Sequence, residues 1–329
     1  MPEHNNNELT YAEALRQGLH QALELNDQVL VIGQLVDFPR GVFGSTDGLA
    51  ERFGRERVRD FPVSESAMTA LGIGAAVAGM RPVLVHHRID FMLYSMDAVV
   101  NWLALWRFKS NRESSLPLTI RAIVGKGWGQ GPQHSKSPHA WFAHVPGLRV
   151  AMPATAFDAK GLLLESVFGE NPVIMIEHRS LYTLKDRVPK QPYRVRFGRA
   201  TVRRAGEDIT LVAVGAMVPF ALRVAEMLIG HRVHAEVIDL RTISPLDTDS
   251  VCISVEKTGR IAVVDPAWRS FGVASEIIAR VAERLGRRLR ADPLRIGYPD
   301  SHTPMSAALE AAYYPNEADV VAKLRALVR

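Results

Sequence analysis

Short apolar runs alternate with helical stretches along this chain, and that alternation limits the possible folds more than any other feature. Val29–Gly33 reads VLVIG, a run with no polar side. Pro82–Val85, Leu118–Val124, Val150–Met152 and Val173–Ile176 are similar runs. Helical spacing fills the intervals, notably over Glu65–Ala78, Phe91–Lys109 and Asp158–Phe168. Buried strands separated by helices predict a parallel sheet covered on its faces. Thr10 with Glu13 predicts a capping box, and Ala14, Leu15, Leu19, Ala22 and Leu23 predict the helix behind it. Around Asp186–Tyr193 two prolines and mixed charges interrupt the pattern. A second alternation follows, with strands at Ile209–Val214, His234–Leu240 and Arg260–Asp265. Its helices open at Gly215–Ala216 and cover Val273–Leu285 and Asn316–Val328. The expected architecture is α/β with two doubly wound domains, residues 1–187 and 200–329, joined by a linker at 188–199.

Composition sharpens this frame. A length of 329 residues suits two domains. With 47% apolar and 23% charged residues, the chain has enough apolar material to exclude disorder. No apolar run approaches the ~20 residues a membrane helix needs, and the opening MPEHNNNELT lacks the pattern of a secretory signal. The single cysteine, Cys252, cannot form an internal disulfide and is expected to be buried, which suits a cytoplasmic chain. The net charge of +5 is dispersed. Its densest group, Arg280–Arg290, is expected to be a solvated face, or else a subunit contact. A nucleic-acid partner would rest on charge alone and is not expected.

Metal and phosphate motifs are missing. The sequence has no cysteine pair, no His-Glu-x-x-His and no phosphate loop. His86 and His87 are adjacent, so a strand points them to opposite faces. Gly72, Gly74 and Gly79 are expected inside a helix, a weak nucleotide signal, where small residues more often permit close helix contact. Two features are more pointed. Glu65 ends Phe61–Pro62–Val63–Ser64–Glu65, where an extended segment turns into a helix. From spacing alone it is a first-turn carboxylate favoured by the helix dipole; the alternative is a functional carboxylate at the mouth of the sheet. The other is the loop Gly125–Gly147, where His134, His139 and His144 recur at five-residue spacing among glycines, prolines and aromatics. A loop this long inside a domain is commonly functional, and its histidines are candidates for proton chemistry.

Taken in order, these residues resemble a known family. They are Phe61–Glu65, Gly79-Met-Arg81-Pro82, Phe91, Asp97 with Asn101, Gln133-His134-Ser135, Phe142-Ala-His144-Val-Pro146-Gly147, Asp158-Ala-Lys160-Gly161-Leu162 and Asn171-Pro172-Val173. Asp239–Asp247 and Phe271-Gly272-Val273 extend the set. The chain resembles the beta subunits of thiamine-diphosphate-dependent 2-oxoacid dehydrogenases of the pyruvate, branched-chain and acetoin types, from about Thr10 to Arg329. The resemblance implies a transketolase-like pyrimidine-binding domain followed by a transketolase C-terminal domain. It implies that this chain grips the aminopyrimidine of thiamine diphosphate. An alpha subunit holds the diphosphate through Mg2+, in an α2β2 heterotetramer. The substrate would be a 2-oxoacid, decarboxylated with acyl transfer to the lipoyl group of an acyltransferase. By resemblance, Glu65 bonds the pyrimidine ring nitrogen and Phe91 packs on the ring. His134 moves a proton near the substrate, and Gln34, Val63 and His87 adjoin the pyrimidine. Some members bind a monovalent cation such as K+ mainly through backbone oxygens, here Leu118, Ser166, Val167, Gly169 and Asn171.

The chain also departs from that family. Gln34 stands where a Glu is common. His86-His87-Arg88-Ile89-Asp90 replaces an apolar Phe/Met/Thr/Phe stretch, Lys109–Glu113 a Ser-Gly-Gly turn, and Ala122-Ile123 a Gly-Pro pair. These changes suggest a paralogue with a more polar substrate. Two alternatives stay open: the C-terminal subunit of a split transketolase, which the polar His86–Asp90 stretch slightly favours, and a non-catalytic scaffold.

Overall fold

The computed structural model describes residues 6–111, 113–127 and 129–328. Arg112 in the Lys109–Glu113 turn, Trp128 in the long loop, Arg329 and the first five residues of the N-terminal stretch lie outside them. The chain divides into two compact units. One holds the chain up to Gly125 and Trp141–Phe197; the other holds Lys126–Ala140 and Gly198–Arg329.

The first unit begins with β1 (Asn6–Thr10) and α1 (Tyr11–Leu25). The capping box forms as expected: Glu13 N donates to Thr10 Oγ1 at 3.2 Å, and Thr10 N to the Glu13 carboxylate at 2.7 Å. Its parallel sheet contains β2 (Val29–Gly33), β3 (Val58–Asp60), β4 (Arg81–His86), β5 (Thr119–Val124), β6 (Arg149–Ala151) and β7 (Val173–His178). The strand order is β6-β7-β5-β4-β2-β3. From β2 the chain moves outward to β3, and from β4 it moves the other way to β5. The order therefore reverses between β2 and β4, the place in an open α/β sheet where ligands bind outside the carboxyl ends of the strands. The helices are α2 (Leu49–Phe53), α3 (Glu65–Val77), α4 (Ile89–Met92), α5 (Trp106–Lys109), α6 (His139–His144), which continues from the long loop, and α7 (Ala156–Val167). Gly18 of α1 lets that helix lie close on α7: a Cβ there would sit 3.2 Å from Leu163.

Three expectations change. Phe91–Lys109 is not one helix but α4, a 3-10 turn at Leu93–Ser95, a π turn at Ala98–Leu103, and α5. Ala104 N reaches back five residues to Val99 O, which brings Val99 and Leu103 both into the core. The expected linker also packs on the first unit as far as Phe197. β8 (Lys185–Pro189), whose last two residues open the expected linker, pairs antiparallel with β1, and Tyr193 stacks on Phe157 with centroids 4.6 Å apart. The long loop, expected in the first domain, is divided. Its Lys126–Ala140 portion belongs to the second unit, for reasons of side-chain chemistry given below.

The second unit carries β9 (Thr201–Arg204), β10 (Ile209–Ala213), α8 (Met217–Ile229), β11 (Ala235–Asp239), β12 (Thr242–Ser244), α9 (Thr248–Thr258), β13 (Ile261–Trp268), α10 (Val273–Leu285), β14 (Leu294–Tyr298), α11 (Ala307–Tyr313) and α12 (Glu317–Val328). Its sheet runs β14-β13-β10-β11-β9, parallel except for β9 at the edge. Cys252 is buried on α9. In the basic stretch, Arg280, Arg284 and Arg288 pair with Glu276, Asp249 and Glu256 on an exposed face. Exposed pairs of this kind add little to stability, which fits the solvated-face expectation. No helix among the described residues is long and apolar enough to cross a membrane.

Candidate active site

The carboxyl edge of β4, β2 and β3 gathers most of the residues expected at the site. Gln34 follows β2, Val63 and Glu65 follow β3, and His87 and Phe91 follow β4. Phe61 N donates to Gly33 O at 3.0 Å, and Leu35 N to the Asp60 carboxylate, so the ends of β2 and β3 are tied together. Ser66 donates to Tyr94 O at 2.5 Å and Thr69 to Ser95 Oγ at 3.0 Å. These bonds stitch the start of α3 to the turn after Phe91.

The edge is open and polar. Val63 is 82% exposed, and Phe91 also faces outward. Glu65 is half-buried at the first turn of α3 and forms no hydrogen bond or ion pair among the described residues. Burial and the charge of Arg88 hold His87 below the usual imidazole range, against the opposing effects of a hydrogen bond to the Gln34 main chain and of Asp60. Gln34 Nε2 and His87 Nδ1 are buried without partners among the described residues. His86, on the strand's other face, is 1% exposed, and both its ring nitrogens lack partners among the described residues. Burial, with a smaller effect from His87, pushes its imidazole down to about 3. Buried polar atoms normally find partners, so this cluster marks an edge built to receive one.

His134 lies in the second unit, on Lys126–Ala140, after a 3-10 turn at Gly131–Gln133. That segment is anchored there by His139. His139 Nε2 bonds Asp265 Oδ1 at 2.7 Å, and its Nδ1 meets Ser137 Oγ at 3.0 Å, all buried. Asp265 in turn accepts from Ala274 N, Gly127 N donates to Glu310 at 2.9 Å, and Lys126 Nζ lies 4.0 Å from the Tyr314 ring centre. Two of the three loop histidines thus separate by role: His139 is a tether, and His134 remains the half-buried candidate for proton transfer.

Several motifs that carried the resemblance are scaffold. Lys160 Nζ binds Gln17, Pro189 O and Gln191 O, and burial lowers it to about 8. In Asp239–Asp247, Thr242 and Asp247 accept from the main chain of Gly198 and Ala200 and pin the start of the second unit. Several groups of the residues expected at a monovalent cation are engaged within the chain. Arg81 Nη1 already donates to Val167 O and Gly169 O, at 3.0 and 2.9 Å, and Arg107 binds the Asn171 side chain. Leu118 O accepts from Val173 N, and the Ser166 hydroxyl is turned back to Leu162 O. A bare cation at these oxygens would face a guanidinium. No group of three or more His, Cys, Asp and Glu fit for a metal occurs among the described residues.

Comparison with known proteins decides the family. Residues 7–185 match the transketolase pyrimidine-binding domain, and residues 198–320 match the transketolase C-terminal domain. The chain is 37% identical to the Bacillus subtilis pyruvate dehydrogenase E1 component subunit beta, over 97% of this chain and 98% of that one. The chain belongs to the beta-subunit family of 2-oxoacid dehydrogenases. The B. subtilis 2-oxoisovalerate dehydrogenase subunit beta is likewise 37% identical, over 97% and 98% of the two chains. The Cupriavidus necator acetoin:2,6-dichlorophenolindophenol oxidoreductase subunit beta is 38% identical, over 95% of each. A solved structure titled as a split-gene transketolase, an inactive beta4 tetramer, superimposes with a TM-score of 0.78 at 21% identity, covering 98% of this chain and all of that one; it shows the fold alone. The full-length relatives favour a dehydrogenase beta chain over the split-transketolase and scaffold alternatives.

Two residues beside this edge were not singled out from sequence. Phe43 lies edge-on to His87 with centroids 6.2 Å apart, and Arg179 lies 4.3 Å from the Phe43 ring centre. A basic residue directly after the buried strand β7 was the available signal for Arg179.

Proposed function

We propose that this beta chain completes a thiamine-diphosphate active site with an alpha subunit and decarboxylates a 2-oxoacid. The supporting observation is the half-buried Glu65 carboxylate, unpartnered among the described residues, at the start of the helix that leads from β3 to β4. A protonated ring nitrogen of the aminopyrimidine would give it the donor it lacks. Bound thiamine diphosphate supplies the electron sink that lets a 2-oxoacid lose CO2. Val63 and Phe91 offer apolar surface for the ring, and the buried Gln34 Nε2 and His87 Nδ1 offer polar contacts at its margin. Glu65 holds a proton at the ring nitrogen, and His134 is the group on this chain proposed to exchange a proton with the substrate. The alpha subunit would hold the diphosphate through Mg2+, within a cytoplasmic α2β2 heterotetramer, and the acyl group would pass to a lipoyl acyltransferase.

The test is reconstitution with the alpha subunit and assay of CO2 release from 2-oxoacids, with a dye as electron acceptor. Glu65→Ala is expected to cost roughly 10²–10⁴-fold in kcat. Ketol transfer without CO2 release, or an unimpaired Glu65→Ala complex, would overturn the proposal.

A further inference from the structure

We propose that Asp265 is a positioning residue of the reaction: by holding His139 it sets the place of His134 on the same segment. This deepens the function proposed above and rests on its reading of His134 as the proton-exchanging group.

The segment Lys126–Ala140 has little shape of its own. Among its described residues, the only regular structure before α6 is the 3-10 turn at Gly131–Gln133. Gly127 and Gly131 take φ values of 80° and 59°, a region open to glycine and costly for other residues. Such a backbone loses much entropy on ordering, so contacts with the rest of the unit must hold it. They lie on both sides of His134. On the amino-terminal side, Gly127 N donates to Glu310 and Lys126 lies over the Tyr314 ring. The Met305 side chain fills the space beside Gly131, where a Cβ would collide with it. On the carboxyl-terminal side stands the bond between His139 and Asp265.

That bond is well placed to transmit position. Both residues are buried, so water does not compete for it. The carboxylate accepts, so the imidazole proton sits on Nε2 and Nδ1 is left to Ser137 Oγ. Asp265 is itself fixed. It lies on β13, and its other oxygen accepts from Ala274 N at 3.1 Å, in the first turn of α10, where a helix favours negative charge. Gly272 leaves room for that oxygen: a Cβ there would lie 2.8 Å from it. Support therefore runs from a strand and a helix of the second unit, through Asp265 and His139, to the segment that carries His134. Proton exchange depends on such support, because a shift of about 1 Å in a reacting group can cost roughly a hundredfold in rate.

The reconstituted α/β complex tests this with Asp265→Asn and His139→Gln. Each should lower kcat by roughly ten- to a hundredfold, with thiamine diphosphate bound as tightly as in the unaltered complex. The double variant should lose no more than the worse single one, because both break the same bond. In a His134→Asn background, Asp265→Asn should cost nothing further, which a merely structural role would not produce. Full activity in both single variants, weakened cofactor binding that accounts for the loss, or an added loss on top of His134→Asn overturns the proposal. If Asp265→Asn does not assemble with the alpha subunit, His139→Gln and its combination with His134→Asn decide. A His134→Asn complex as active as the unaltered one overturns the reading of His134 and the positioning with it. If no 2-oxoacid is turned over, the proposed function fails separately. Amide hydrogen exchange then reads the hold on the segment: faster exchange around His134 in His139→Gln sustains it, and unchanged exchange overturns it.

Discussion

Two stretches of the same sheet edge are built in opposite ways. Over β5 and β7 the buried charges are matched. Arg121 and Glu177 are both fully buried and joined by two bonds, Arg121 reaches Ser45 Oγ at 2.9 Å, and Tyr182 completes the carboxylate. Among the described side chains of β5 and β7, Arg121 Nη1 and Thr119 Oγ1 alone are buried without a partner. Over β2 and β4, Gln34, His86 and His87 hold buried polar atoms with no partner among the described residues. Each such buried atom costs about 1–3 kcal/mol. One end of the sheet shows that this fold can saturate its buried polar groups. Bare atoms at the other end are what the proposed binding edge would leave open for its ligand.

The comparison is broken most severely from the saturated side. Arg121→Met should leave Glu177 buried without its countercharge and cost about 3–5 kcal/mol in urea unfolding. Arg121→Met with Glu177→Leu should recover part of that loss, because the desolvation cost disappears with the charge. A single variant as stable as the unaltered chain would show that the pair is not the support described.

The bare side should respond to pH instead. Folding holds His86 neutral, with its imidazole lowered from 6.5 to about 3. Below the unfolded value the unfolded chain takes up a proton that the folded chain refuses. This contribution to stability is therefore complete above about pH 6.5 and is lost as the pH falls toward 3. Between pH 7 and 4.5 the loss amounts to about 2–3 kcal/mol. His86→Leu should flatten that part of the stability–pH curve; parallel curves for the two proteins would show that His86 is not held neutral.

How much of this was legible in sequence follows the range of the interaction. β2, β4, β5, β6 and β7 stand out as apolar runs because both faces of a central parallel strand are buried, and α10 coincides with the expected Val273–Leu285 helix. β1 and β8 do not, since NNELT and KDRVP are polar and become strands only by pairing across the chain. The Ala122-Ile123 departure lies inside β5, where Ile123 is in register with Glu177. Glu65, His87 and Phe91 were named through resemblance, since spacing alone favoured a bland reading of Glu65. The transfer of Lys126–Ala140 to the second unit depends on His139 meeting Asp265, 126 residues away, and no local pattern announces that contact. Arg179 was missed for the same reason: the Phe43 ring it meets lies far from it along the chain.

The finest test of the contrast is Gln34→Glu. It puts a carboxylate at the end of β2, beside the ring that bonds the Gln34 main chain. Burial and Arg88 now hold His87 low, and a new negative charge opposes both. The His87 imidazole should therefore titrate higher than in the unaltered chain, as read by NMR of the ring protons in the complex. Activity should change by less than about tenfold, because the substitution alters the charge of a group at the margin of the site and leaves Glu65 in place. An unmoved His87 would mean that the Gln34 side chain points away from the imidazole. The bare nitrogen of Gln34 would then need a partner other than the one proposed here.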